Sequence, residues 1–230
     1  MRIKDMKNLK VTLFGLATGA MFLTAVTCQN AQANASLDFS SIIGANVVFN
    51  GTGGFYFKNA TSGVGNGYSF QVIDANNLPG DSVGDYGNMT GTYNIGAITT
   101  SGATQSAAVT GSGIVTINDG SFVLTGTLVW DDITTVGTGT TLNITGKLNV
   151  TSVTYAGSQV DLQTLASYGS LSDTVDFTFN PAKPLATLKS NPLHTTFSGS
   201  ITAIPDGAMT VQLLGGALLA IAAVRRKMAS

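Results

Sequence analysis

The residues best suited to chemistry lie in one oxygen-rich stretch, "DANNLPGDSVGDYGN", which begins at Asp74. Its side chains Asp74, Asn76, Asp81 and Asp85 carry the carboxylate and amide oxygens that calcium takes as ligands in flexible loops. The spacing does not follow the EF-hand pattern, and no glutamate closes the stretch as a bidentate ligand. Asp, Asn, Gly and Pro also dominate ordinary turns. The stretch therefore predicts either a calcium site or a turn-rich loop.

A second candidate is Trp130-Asp131-Asp132, which places the only tryptophan beside two carboxylates. An aromatic ring with polar groups next to it suits a sugar or an ion. A charged strand end explains the same residues without any ligand. A glycosidase would need a carboxylate pair across a cleft, and the order of the aspartates along the chain neither indicates nor excludes one.

Nothing else in the sequence favours catalysis. Histidine occurs once, as His194, so a zinc site would have to consist of carboxylates, which fit that metal poorly. The stretch "GDSV" at 80–83 resembles the nucleophile motif of the Gly-Asp-Ser-Leu hydrolases, whose base follows an aspartate by three residues. Here Asn191 stands three residues before His194. We therefore predict a protein that is not an enzyme and that has no cofactor apart from the candidate calcium.

The charges of the chain separate its ends from its middle. Between Ser36 and Ala203 four lysines stand against ten aspartates, with no Arg and no Glu, a net charge of −6. An acidic surface without arginine repels phosphate backbones, which argues against nucleic acid as a partner. The negative charge favours solubility instead.

The N-terminal end has the order of an export signal. A basic segment (2–10) leads into the apolar run "VTLFGLATGAMFLTAV", and small residues follow at Ala31, Ala33 and Ala35. We expect signal peptidase to cut after Ala35 or Ala33, so that residues 1–35 form the signal peptide. A lipoprotein signal at Cys28, the only cysteine, and an uncleaved membrane helix are the alternatives. After cleavage no thiol remains for disulfides or metal sites.

The C-terminal end combines a break, an apolar run and a basic stop. Residues 208–224 hold Gln212 as their only strongly polar side chain and would span about 25 Å as a helix, near the lower limit for a bilayer. The basic residues that follow favour a cytoplasmic C-terminus. Before the run, a proline and a glycine expose the backbone at a turn that a protease can reach. The break is formed by Ile204, Pro205, Asp206 and Gly207, and the stop by Arg225, Arg226 and Lys227.

These last residues resemble the C-terminal sorting segments of PEP-CTERM proteins, in the variant written Val-Pro-Asp-Ser/Gly-Gly. Ile204 replaces the Val of that motif, and Ala208 replaces its final Gly. The resemblance covers residues 204–230. It implies a Gram-negative bacterium in which the segment holds the exported protein in the inner membrane until an exosortase, a membrane-embedded transpeptidase, removes it. The remaining protein would then belong to the cell surface or the extracellular matrix.

The middle of the chain, residues 36–203, has the alternation of half-buried strands. In "FVLTGTLVW" (122–130) and "LNITGKLNV" (142–150) alternate residues are apolar, and Asp119-Gly120 is a hairpin signal before the first. Both strands carry a glycine between two large apolar residues on the inner face, Gly126 and Gly146. We interpret these glycines as room for a bulge or for a ring from across the core.

The other predicted strands are short and lie between turn residues. They are "ANVVFN", "GFYFKN", "YSFQVID", "SAAVTG", "GIVTI", "VTSVTYAG", "VDFTFN" and "TTFSGSITAI". The best helical stripe is "QVDLQTLASYG", and "NPAKPLATLKSNPLH" is predicted as an extended connection. This pattern predicts an all-β domain, an antiparallel β-sandwich or jelly roll.

Two functions are compatible with these features. The first is an exported, noncatalytic cell-surface or matrix protein that the membrane holds through its C-terminal helix before processing. The second is a carbohydrate-binding module or weak glycosidase that acts on extracellular polysaccharide through Trp130, Tyr86 or aspartates. Retention on polysaccharide would distinguish the two.

Overall fold

The computed structural model describes residues 34–136 and 143–203. These residues form fourteen strands, and all the strand pairs are antiparallel. The predicted all-β antiparallel class is therefore confirmed. In chain order the strands are β1 (Ser36–Ser41), β2 (Asn46–Asn50), β3 (Gly54–Lys58), β4 (Phe70–Asn76), β5 (Tyr86–Met89), β6 (Tyr93–Ile95), β7 (Thr99–Ser101), β8 (Thr104–Thr110), β9 (Ser112–Asn118), β10 (Val123–Val136), β11 (Asn143–Thr154), β12 (Ser170–Thr178), β13 (Pro192–Thr195) and β14 (Phe197–Ala203).

Eight of these strands close into a barrel. The pairing order is β11-β12-β14-β1-β4-β5-β9-β10, and β10 pairs with β11 to complete the ring. The predicted sandwich or jelly roll is not confirmed, because the strands form a closed ring with a second sheet attached. The reason lies in pairing between distant strands, which the alternation of apolar residues does not specify.

The second sheet branches from β10. The first half of this long strand, Val123–Val129, pairs with β9, whereas Asp132–Thr134 pairs with β8. From β8 the sheet continues through β6, β3 and β2 to β13, and β7 pairs with the other end of β8. An irregularity in the ladder with β11 between Trp130 and Asp132 marks the branch point. A bulge of this kind bends a strand and lets it leave one sheet for another.

The two strands with the clearest alternation form as predicted. Leu124, Leu128 and Trp130 of β10 are buried, and the Asp119-Gly120 turn joins β9 to β10 as an antiparallel hairpin. Phe122 was predicted to face inward and is instead 48% exposed. It lies in the hairpin turn, where its N–H donates to Asp119 Oδ1 (2.6 Å) and takes the residue out of the alternation.

Aromatic rings fill the space between the barrel and the second sheet. Trp130 of β10 packs edge-on against Phe55 of β3 (5.0 Å between ring centroids) and lies 5.3 Å from Tyr93 of β6. From β12, Phe177 stacks on it at 6.2 Å. The rings of this aromatic cluster are buried, so they join the two sheets into one core. Its members are Phe39, Phe49, Phe55, Phe57, Phe70, Tyr93, Trp130, Phe177 and Phe197.

Two short helices complete the described part of the chain. Helix α1 (Val160–Ser167) falls within the predicted helical stripe and buries Leu162 and Leu165. Helix α2 (Leu185–Ser190) and β13 occupy the segment that was predicted to be an extended connection. That prediction was wrong. Leu185 and Leu188 are three residues apart, so they lie on the same face of a helical turn, and their burial holds the segment in that conformation.

Candidate functional site

The oxygen-rich loop is joined to α1 through Asp81. Its Oδ2 accepts the N–H of Val160 (2.6 Å), and its Oδ1 accepts the N–H of Asp161 (3.0 Å). The first backbone N–H groups of a helix have no partner within the helix, and a carboxylate there also favours the helix dipole. Gln159, which precedes the helix, makes no side-chain cap bond. Asp81 therefore caps a helix almost eighty residues away in sequence.

Asp161 makes the reciprocal contact. Its carboxylate is fully buried and accepts the N–H of Gly80 (3.1 Å), the N–H of Ser82 (3.1 Å) and the Ser82 hydroxyl (2.7 Å). The hydroxyl of Ser82 is thus buried and donates its hydrogen bond to a carboxylate. His194 is exposed on β13, where it pairs with Val48 of β2. The contacts of Ser82 are those of a structural residue.

Asp85 lies beside this capped helix. Burial raises its pKa, the Gln159 side chain partly offsets that effect, and the charges of Asp119, Asp81 and Asp161 raise it further. Asp85 Oδ2 and Gln159 Oε1 are buried without a hydrogen-bond partner. Burial, and after it the proximity of these carboxylates, makes the charged form of Asp85 less favourable than it is in water.

Asp119, in the β9–β10 hairpin, has the opposite shift. Its pKa is lowered, first by the N–H of Phe122 and then by the hydroxyl of Tyr155 and the N–H of Ser121. Tyr155, which follows β11, donates its hydroxyl to Asp119 Oδ2 and accepts the N–H of Gln159 (3.2 Å). The hairpin and the segment before α1 are therefore held together by one carboxylate. The sequence identified Asp119 only as a turn residue.

The other two candidate calcium ligands, Asp74 and Asn76, belong to β4. Asp74 and Asn76 are exposed on β4, and Asn76 donates to Asp38 Oδ2 (3.2 Å) across the β1–β4 ladder. Within residues 34–136 and 143–203, no three side chains of His, Cys, Asp or Glu are arranged to hold a metal ion. Calcium binding by this loop therefore stays a prediction from the sequence, and the contacts described here are those of a structural loop.

Trp130, the candidate sugar contact, is buried. The side chain is 5% exposed, and its ring lies in the aromatic cluster over Gly146, where a Cβ would come within 2.1 Å of Cζ3. The interpretation of Gly146 as room for a ring is confirmed. Gly199 of β14 gives the same room to Phe39, since a Cβ there would lie 2.6 Å from its Cζ. The Trp130 Nε1–H is buried without a partner.

Asp131 and Asp132 lie at the bulge where β10 leaves the barrel. Asp131 is exposed and is the extra residue of the ladder, because Trp130 pairs with Leu148 and Asp132 pairs with Lys147. Asp132 Oδ1 is buried without a partner. Both residues lie within β10, which continues to Val136, so this position is not the charged strand end that the sequence offered as the alternative.

An aromatic surface lies on the outside of the barrel, and it contains Tyr86, which the sequence offered as a sugar contact. The rings of Tyr68 and Tyr86 stack at 5.5 Å with an interplanar angle of 29°, and both are partly exposed. Asn118 donates its amide to the Tyr68 hydroxyl (2.8 Å), and Gln71 pairs with Tyr86 across β4 and β5. We call these four residues the tyrosine patch.

The sequence also did not single out Asp173 of β12. It alternates with Leu171 and Val175 and is 1% exposed, so its carboxyl points into the barrel. Neither carboxyl oxygen has a hydrogen-bond partner. The signal was present, because a polar residue on the buried face of an otherwise regular strand breaks the alternation.

The two ends of the described chain pair with each other. Ala35, one of the predicted cleavage residues, is buried, and its carbonyl accepts the N–H of Ala203 (2.8 Å). Ser36 pairs with Thr202 in the β1–β14 ladder. The other predicted processing residues, Ala33, Ile204–Gly207 and Arg225–Lys227, and the predicted helix 208–224 lie outside the described residues. Neither α1 nor α2 is long and apolar enough to cross a membrane.

Comparison of the chain with protein-family models, with curated proteins and with solved structures gave no match. The function must therefore be argued from the residues and their contacts alone.

Proposed function

We propose that the protein is an exported, noncatalytic cell-surface or matrix protein, held in the inner membrane by its C-terminal segment until an exosortase-type enzyme removes that segment. The order of an export signal, a Pro-Asp-Gly break, an apolar run and a basic stop gives the main support. The carboxylates of the described domain support the noncatalytic part, because Asp81 and Asp161 are engaged in joining the loop to α1.

The structural observation that carries the proposal is the pairing of Ala35 with Ala203. Because β1 and β14 are antiparallel neighbours, the start of β1 and the end of β14 lie at the same edge of the barrel. A chain with a membrane segment at each end would then need only one membrane surface to receive both segments. A domain with its termini at opposite ends could not meet that condition without long linkers, and here the predicted break begins directly after Ala203.

The same pairing favours one of the two predicted cleavage positions. Ala35 is 4% exposed and extends the ladder beside Ala203, and the Asn34 carbonyl accepts the side chain of Asn77 (3.1 Å). A cut after Ala35 would remove both contacts, whereas a cut after Ala33 would keep them. We propose that signal peptidase cuts after Ala33. Mass spectrometry of the mature protein should then find an N-terminal peptide that begins with Asn34.

Deletion of residues 204–230 tests the anchor. The truncated chain should be exported and recovered in the soluble periplasmic or extracellular fraction, because it has lost about 25 Å of apolar helix. The intact chain should fractionate with the inner membrane before processing. If both chains distribute equally between the fractions, the anchor does not exist.

A second variant separates sorting from simple anchoring. Pro205→Ala with Asp206→Ala keeps the apolar run and the basic stop but removes the predicted recognition motif. In the native host the double variant should remain in the membrane at its full C-terminal mass, whereas the wild-type protein should lose the segment. An ordinary C-terminal anchor would give the same full mass for both proteins, and that result would reject processing while leaving the anchor in place.

The tyrosine patch favours polysaccharide binding as a second candidate function. Tyr68 and Tyr86 present partly exposed rings next to amide groups, and such a combination suits a sugar. Tyr86→Ala should then abolish retention on the extracellular polysaccharide of the host. Tyr56→Ala, at another exposed tyrosine (40% exposed), is the matched control and should leave retention unchanged. Equal retention of both variants and the wild type would remove this candidate.

A further inference from the structure

A row of inward side chains crosses five neighbouring strands of the barrel, and a carboxyl lies at its centre. In the ladders Asp173 pairs with Leu148 on one side and with Ile201 on the other. One strand further on each side lie Trp130 and Leu37. All five side chains are at most 5% exposed. Asp173 is therefore the only acidic member of an apolar row.

Asp173 has no compensating group within the described residues. Both of its carboxyl oxygens are buried without a hydrogen-bond partner. Burial raises its pKa well above the ordinary value, and the only opposing influence is the N–H of Thr174. An unpaired carboxylate is strongly disfavoured in such a place, so the group keeps its proton instead.

The titratable neighbour of Asp173 is Tyr93, which enters the core from β6. Burial raises the pKa of Tyr93 to about 12, the Trp130 indole opposes that shift, and the charge of Asp173 adds to it. Tyr93 donates its hydroxyl to the Thr90 carbonyl (2.6 Å) and stays neutral at any pH at which proteins are handled. The strands on either side contribute Leu148 and Ile201, which do not titrate.

We propose that Asp173 is a neutral carboxylic acid in the folded barrel and acts as a pH-sensitive lock, so that the barrel is most stable below the pH at which a free carboxyl ionises and loses stability as the pH rises above it. The lock is independent of how the ends of the chain are processed. It depends only on the placement of one acid in an apolar row of the barrel.

The direction of the pH effect follows from proton linkage. The unfolded chain loses the Asp173 proton near pH 4, whereas the folded chain keeps it to a higher pH. Between those two pH values the folded state binds one more proton, so stability falls as the pH rises. In that window this one group raises the unfolding equilibrium constant about tenfold per pH unit.

Asp173→Asn tests the lock, because asparagine has nearly the same shape and does not titrate. The full chain is studied in a mild detergent by urea unfolding between pH 4.5 and 9. The matched control is Asp176→Asn, since Asp176 lies on the same strand but accepts the Thr145 hydroxyl (2.6 Å) and is not fully buried. The wild type and D176N should share the loss of stability with pH, and D173N should lack it.

The emission of Trp130, the only tryptophan, gives a second measurement on folded protein. It should change with the ionisation of Asp173 in the wild type and D176N, and it should not change in D173N. If D173N fails to fold, the NMR chemical shift of the assigned Asp173 carboxyl carbon in the wild type, followed against pH, tests the proposal. A carboxyl that is already ionised at pH 5, or an equal pH dependence of stability in the wild type and D173N, would overturn the proposal.

Discussion

Adding one methyl group at Gly146 should destabilise the barrel through the single tryptophan. A Cβ at this position would lie 2.1 Å from Cζ3 of Trp130, 2.7 Å from Cη2 and 3.2 Å from Cε3. A Cβ does not approach a non-bonded carbon within 3.0 Å, so the ring has to move. Phe55 and Tyr93 lie 5.0 and 5.3 Å from it, which means that the movement has to displace other buried rings as well.

The size of the effect follows from two opposing contributions. Overpacking a buried site costs about 1–3 kcal/mol. Replacing glycine by alanine reduces the entropy of the unfolded chain and returns about 0.4–1 kcal/mol. Gly146 does not have a positive φ, so no backbone strain is added. We expect Gly146→Ala to lower the free energy of unfolding by about 1–2 kcal/mol, or the melting temperature by roughly 2–8 °C for a domain of this size.

Chemical denaturation followed by Trp130 emission measures this effect. Asn149→Ala is the matched control, because Asn149 is exposed on the same strand and should change stability by no more than about 0.5 kcal/mol. Trp130→Phe removes the atoms that the new methyl group meets. The double variant G146A/W130F, followed by circular dichroism, should therefore lose less stability than the two single changes added together. A G146A protein as stable as the wild type, with unchanged Trp130 emission, would refute the packing of this ring on Gly146.

Three further results are expected from the same domain. Gly126→Val should cost far more stability than Thr125→Val in thermal melts, because a Cβ at Gly126 already meets a neighbouring valine at 2.5 Å; equal losses would contradict this. Asp81→Ala should lower the free energy of unfolding by about 1–2 kcal/mol through loss of the α1 cap, whereas Asp74→Ala should not, as urea unfolding would show. The pKa of Asp119 is lowered, first by the Phe122 N–H of its hairpin, so its carboxylate stabilises the fold above about pH 4. This stabilisation is lost as the pH falls through the pKa of Asp119 in the folded protein. Acid titrations of Asp119→Asn should not show this loss.

The alternation of apolar residues was enough to predict the strands, but it did not predict how the strands pair to form a closed barrel. It located β10 and β11, including the inward Leu128 and Leu148, because their burial repeats every two residues. It could not show that β10 is shared between two sheets. That depends on the bulge at Asp131, and a bulge is a local change of register that has no distinct residue signature here.

The candidate sugar contact at Trp130 arose because two features of the sequence pointed in different directions. Trp130 was placed on the inner face of its strand by the alternation, and yet the carboxylates beside it suggested a surface contact. The pattern was the better guide, since Trp130 fills the space above Gly146. The role of Asp81 could not have been predicted, because the helix that it caps begins at Val160 and only the folded chain brings the two together.

The aspartates of this domain serve mainly to bind the N–H and O–H groups of the protein itself. Asp81 and Asp161 accept backbone N–H groups and a hydroxyl between the loop and α1, Asp119 accepts them within its hairpin, and Asp176 accepts the hydroxyl of Thr145. Because the domain has no arginine and only four lysines, ion pairs could not perform this task. Such charge-assisted hydrogen bonds hold segments that lie far apart in sequence. Asp173 differs from these four, because neither of its carboxyl oxygens receives a hydrogen bond. Proton uptake is the remaining way to remove its charge.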